Sequence, residues 1–107
     1  MKKLLTGLAV LGFVSGAATA VHAADGEQVY QSAGCIACHV VDGKGGRVGP
    51  SLESIGEKGK DHIRTAIVDP SANVTEGYPA NVMPANYGDQ LSDEELDALV
   101  DFLAQQK

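Results

Sequence analysis

The sequence predicts an all-α domain of three to five short helices, and three observations carry that prediction. Apolar residues recur at helical spacing as Ile63, Ala66 and Ile67, and again as Leu96, Leu99, Val100 and Leu103. No stretch shows a convincing strand alternation, and no internal repeat is present. The part of the 107-residue chain that follows an apolar leader is only about 80 residues long, a size at which a protein core alone gives a few kcal/mol. Helices of that total length lean on a cofactor, a metal or a disulfide to complete their core.

Lys2 and Lys3 form a basic start, Leu4 to Val14 is almost wholly apolar, and small residues follow up to Ala24. This is the layout of a secretory signal peptide over residues 1–23, leaving one domain over 24–107. Cleavage is expected after Ala23 or Ala24, and Val21 at the −3 position favours the former. As a membrane anchor the unbroken apolar run falls short of the roughly 20 residues that a spanning helix needs. The expected compartment is therefore the periplasm, with no stable membrane insertion after cleavage.

The elements follow in order. Asp25 to Ala33 reads as a short helix stopped by Gly34, which suits a left-handed C-terminal position. Val40 to Gly49 reads as loop, with Gly43, Gly45, Gly46 and Gly49 in quick succession before Pro50. A phosphate-binding loop is a weak reading there, because neither a preceding strand nor a Gly-Lys-Ser/Thr ending is present. A brief turn is expected around Leu52, Ile55 and Gly56, then a helix from about Asp61 to Val68, ended by Pro70 through its effect on Asp69. Asn73 to Gly88 is irregular, broken by Pro79 and Pro84. In the last helix Ser92 and Glu95 form a capping box, and Leu91 with Leu96 a hydrophobic staple. Its apolar stripe is Leu96, Leu99, Val100 and Leu103.

Cys35-Ile36-Ala37-Cys38-His39 is the stretch on which function turns. C-x-x-C-H is the attachment pattern of c-type haem: two thiols three positions apart add to the two vinyl groups of one haem, and the adjacent imidazole reaches the iron. Three other readings compete. A thioredoxin-like dithiol needs alternating strands and helices around it. A structural zinc site needs four ligands, yet only His39 and His62 add nitrogens, and His39 adjoins Cys38 too closely for easy joint chelation. A plain disulfide leaves His39 and the Gly-rich loop without a purpose.

One haem c held by Cys35 and Cys38, with His39 as proximal ligand, is the expectation. The second ring nitrogen of His39 then needs a carbonyl to fix its orientation. For the distal position Met83, the only methionine beyond the leader, lies on a Pro- and Asn-rich loop instead of a periodic apolar face. That placement favours a thioether ligand over a core filler. His62 is the competing ligand, but next to Asp61 it is expected at the surface.

These residues together resemble a small bacterial class I cytochrome c. The likeness is carried by Gly26-x-x-x-Tyr30 leading into the attachment motif, by Gly49-Pro50-Ser51-Leu52, by Val82-Met83-Pro84, and by Leu91 to Leu96 with Leu99 and Phe102. The segment from Ile63 to Leu96 is also similar to the cytochrome c domain fused to subunit II of some haem-copper oxidases. This sequence lacks the membrane and copper-binding parts of such a subunit, which suggests a free carrier. The resemblance implies a class I cytochrome c fold, three to five short helices around one covalently bound haem. It further implies that Gly26 and Tyr30 pack against Leu99 and Phe102, that the Pro50 carbonyl receives the His39 ring N–H, and that His39 and Met83 ligate the iron. Tyr78 and Tyr87 are candidates for the haem edge, but no motif assigns them.

The expected function is single-electron transport by a monomeric periplasmic carrier that docks transiently with redox protein partners at the haem edge, and not enzymatic turnover. The alternative is a haem protein with a labile distal ligand, acting as a gas or small-molecule sensor or as an enzyme subunit. Formal net charge is −6, and two units more negative without Lys2 and Lys3. An acidic chain of this kind is a poor nucleic-acid binder and is steered towards basic partner surfaces. Asp93, Glu94 and Glu95 lie in the first turn of the last helix, where they complement its dipole.

Overall fold

The computed structural model of the chain describes residues 24–107. The expected leader, residues 1–23, lies outside them. Asp25, expected inside the first helix, instead caps it: its carboxylate accepts from the backbone N–H groups of Glu27 and Gln28, at 3.0 and 3.5 Å. Helix α1 then runs over Gly26–Ser32 and ends before Gly34, whose φ of +86° is the left-handed conformation expected there. The attachment motif does not simply follow a helix end, since Cys35–Cys38 forms a helical turn of its own, α2.

The Gly-rich stretch is not all loop. Val40–Val41 (β1) pairs antiparallel with Lys44–Gly45 (β2), Val40 opposite Gly45 and Val41 opposite Lys44. Asp42 and Gly43 make the two-residue turn, both with positive φ (54° and 73°), as a primed hairpin turn requires. Asp-Gly between apolar and polar strand residues is the sequence signal for this hairpin, obscured by the surrounding glycines. A 3₁₀ turn follows at Ile55–Lys58, then α3 over Lys60–Val68, which buries Ile63 and Ile67. The stretch expected to be irregular up to Gly88 holds the start of a further short helix, α4, Tyr87–Gln90. Helix α5 spans Asp93–Ala104 with both halves of the capping box formed and Leu96, Leu99, Val100 and Leu103 buried, as its stripe predicts.

Helix α5 packs against α1, α3 and the 3₁₀ turn, while α2 lies on α1 and α4 on α3. The crossing with α1 is close enough that a Cβ at Gly26 would run into the Ala98 carbonyl and stand 2.6 Å from Phe102 Cβ. Gly26 therefore meets Ala98 and Phe102, and Leu99 lies with Tyr30 in the core cluster. Tyr30 and Phe102 stack obliquely at 5.7 Å between ring centroids. Lys60–Asp101 and Arg64–Asp97 ion pairs tie α3 to α5, but they are solvent-exposed and add little stability. No helix among the described residues is long and apolar enough to cross a membrane.

Gly26→Ala forces the first and last helices apart, because backbone on the far side cannot yield as a side chain can. Overpacking of this kind costs about 1–3 kcal/mol, and thermal unfolding of a domain this size should fall by roughly 4–8 °C for each kcal/mol.

Candidate functional site

The two cysteines stand three positions apart on one turn of α2, which puts both thiols on the same side. His39 follows as the helix stops, its N–H still bonded to the Cys35 carbonyl at 2.9 Å while its own backbone turns extended. All three side chains line one cavity of ≈ 340 Å³, within the size range that takes a cofactor. Neighbouring walls come from Leu52 and Ile55, from Ile63 and Ile67 of α3, and from Leu99 and Leu103 of α5.

His39 is oriented by the chain that follows it. Its Nδ1 lies 2.7 Å from the Pro50 carbonyl oxygen. A carbonyl only accepts, so the proton is on Nδ1 and the lone pair is left on Nε2. Gly49 has no side chain for the same reason: a Cβ there would stand 2.7 Å from His39 Cε1 and 3.0 Å from Nδ1. The Gly49 N–H meanwhile bonds the Cys38 carbonyl at 2.7 Å, clamping the Gly-Pro segment against the ring.

Met83 is half-buried and lines the same cavity. Tyr78 and Tyr87 line it too. His62, expected at the surface, is instead half-buried on the cavity wall, because α3 presents it one turn before Ala66, which lines the wall as well. Lys58 joins it there, and among the described lining residues none is Asp or Glu. Exposed Val48, Val74, Tyr78 and Val82 also belong to the lining, giving the cavity an apolar rim.

Two bonds were not foreseeable from local pattern. The Tyr30 hydroxyl donates to the His39 carbonyl, and the Tyr87 hydroxyl to the Ala33 carbonyl, each at 3.0 Å. Burial, helped by the nearby Cys35 thiol, pushes Tyr30 from its ordinary 10.0 up to about 12. Burial also raises Tyr87 and the Cys35 thiol, the latter further through Cys38 and against the pull of a backbone hydrogen bond.

The donor set discriminates among the competing chemistries. A dithiol that does exchange has its thiol lowered, not raised. Cys35 and Cys38 are not joined to each other, and no cluster of His, Cys, Asp and Glu suited to a metal ion occurs among the described residues. Two thiols and an imidazole with a bare nitrogen, facing an apolar cavity inside a small helical domain, fit a covalently held haem. The class defined in this way is a small haem-binding domain.

Residues 23–107 match the family model described as Cytochrome c, and the chain belongs to that family. The fold is the class I cytochrome c fold. It is also similar to cytochrome c oxidase subunit 2 of Alkalihalophilus pseudofirmus, at 34% identity over 87 residues that cover 73% of this chain and 24% of that protein. The chain thus spans about a quarter of the length of that relative. No solved structure matches. Membership implies an electron-transfer protein with covalently attached haem c, and the two cysteines that attachment requires are both in the cavity wall.

Gly49→Ala should tilt the His39 ring and weaken its bond to Pro50; proton NMR of the His39 imidazole in the two proteins checks this. Tyr30→Phe should cost about 1 kcal/mol at pH 8, the net worth of one hydrogen bond. Folding raises the Tyr30 pKa, so its contribution is complete below pH 10 and is lost as pH rises towards about 12. Denaturant unfolding of both proteins across that interval should show the wild-type advantage closing.

Proposed function

We propose that this chain is a soluble, monomeric, periplasmic cytochrome c that carries single electrons between redox protein partners, with His39 and Met83 as the two axial ligands. The observation that carries the reading is the His39–Pro50 hydrogen bond in a cavity that also holds Cys35, Cys38 and Met83. A bound haem supplies one-electron Fe(III)/Fe(II) chemistry there.

The residues divide the remaining work. Cys35 and Cys38 tether the group, so it stays through both oxidation states. His39 offers Nε2, and the Pro50 carbonyl holds the Nδ1 proton, which fixes the ring and raises its donor strength. Met83 offers a soft thioether, and a Met/His pair raises reduction potential. With His39 and Met83 both holding the iron, no position would be left open to a substrate, which favours transport over turnover. Leu52, Ile63, Leu99 and Leu103 keep water from the site. Partners dock at the apolar rim of Val48, Val74, Tyr78 and Val82, through the small transient contacts usual for redox encounters. The oxidase subunit to which the chain is similar supports a respiratory type of partner.

Optical spectra of the exported holoprotein test the ligand set. The ferric wild type should show the sulfur-to-iron charge-transfer band, and Met83→Ala should lose it completely, lower the reduction potential and let the ferrous protein bind carbon monoxide. A wild type without the band that binds carbon monoxide rapidly would instead establish the alternative, a sensor or enzyme subunit with a labile distal position.

A further inference from the structure

We propose that Tyr87 is a positioning residue for the distal ligand, its hydroxyl holding the Met83 loop against the cavity through the Ala33 carbonyl; this rests on the reading of Met83 as the sixth ligand. The stretch from Ser71 to Val82 precedes Met83 and forms part of the cavity lining. The hydrogen bonds of that stretch are local: Ala72 N–H to the Asp69 carbonyl, Tyr78 N–H to the Thr75 carbonyl, and the Ser71 hydroxyl to the Asp69 carboxylate. The approach to Met83 from its N-terminal side is therefore untethered to the rest of the fold by hydrogen bonding.

The other side is anchored. Four residues after Met83, Tyr87 opens α4 and is 9% exposed, with its hydroxyl 3.0 Å from the Ala33 oxygen. That carbonyl sits at the C-terminal end of α1, where a helix leaves its last acceptors without internal partners. It also lies two residues before Cys35. The bond thus spans 54 positions of chain and joins the loop bearing the distal group to the turn bearing the tethers. Pro84, with its fixed φ, stiffens the short span between Met83 and α4. Helix α4 is backed in turn by α3, since a Cβ at Gly88 would make ordinary contact with Val68 at 3.7 Å.

On this proposal the span from Met83 to Tyr87, four residues long and stiffened by Pro84, carries a swing of the loop to the Tyr87 hydroxyl, so that the Tyr87–Ala33 bond is made in the closed arrangement and broken in the open one. Its worth then enters the displacement equilibrium directly. Phenylalanine at this position keeps the ring and its packing but leaves the carbonyl unpaired.

Titrating imidazole into the ferric holoprotein tests the idea, with wild type, Tyr87→Phe and Ser92→Ala compared. Ser92→Ala removes the α5 cap, a loss of similar size at a residue that does not line the cavity and whose side chain bonds only within its own capping box. Tyr87→Phe should bind imidazole roughly three- to tenfold more tightly than wild type, the effect of one hydrogen bond, while Ser92→Ala stays at the wild-type affinity. Equal affinity in wild type and Tyr87→Phe overturns the proposal. So does an equal gain in Ser92→Ala, which would mark the effect as general loosening. A Tyr87→Phe protein unable to retain haem also overturns it, because the bond would then serve the turn that bears the tethers and not the distal ligand. Failure of the ligand reading looks different: the wild type lacks the charge-transfer band and Met83→Ala binds imidazole no more tightly than wild type.

Discussion

Between Ala33 and Val40 the carbonyls of Ala33, Ile36, Cys38, His39 and Val40 each accept a hydrogen bond from another part of the chain. The donors are Tyr87, Gly46, Gly49, Tyr30 and Leu52 in that order. A single turn of helix with a short hairpin behind it has almost no stability alone. It is gripped in this way from α1, from the Gly-rich segment and from α4. The geometry of two thiols and one imidazole depends on that grip, because each side chain is one or two rotations from the backbone that is being held.

The core is arranged to the same end. Ile63, Leu99 and Val100 are almost completely buried, yet Ile63 and Leu99 also line the cavity. One side of these residues packs on protein and the other on the space for the cofactor, so the cavity is a continuation of the core and not a separate pocket cut into it. A domain of this length has too little apolar surface of its own for a comfortable margin of stability. Making the prosthetic group part of the packing couples stability to loading.

What could be read from the sequence follows from how local each signal is. The start and the buried face of α5 were legible, since its cap is four residues long and its stripe repeats over about two turns. The attachment motif was legible for the same reason, being five consecutive residues whose chemistry is unusual. Pro50 was reached only through family resemblance, and the 2.7 Å contact with His39 agrees with that expectation. The hairpin at Val40–Gly45 was hidden because neighbouring glycines dilute a two-residue signal. His62 was misplaced because nothing in its own helix says which side faces the cavity. Tyr30 and Tyr87 look like ordinary core aromatics, and their hydroxyl partners lie 9 and 54 positions away, beyond the reach of any periodicity.

The close crossing of α1 with α5 at Gly26 has a bearing on the order in which the molecule is made. Synthesis runs from the N-terminus, so Cys35, Cys38 and His39 emerge early, whereas Leu99 and Leu103, which wall the cavity, belong to the final helix. Until that helix arrives and α1 seats upon it, the thiols lie on a turn with one side uncovered. Contacts between segments so far apart in sequence form late, because chain entropy must be overcome before they can be made. The interval during which the thiols and imidazole stay accessible is accordingly set by the wiring of the fold: the element that would shut them in follows them in the chain by more than fifty residues.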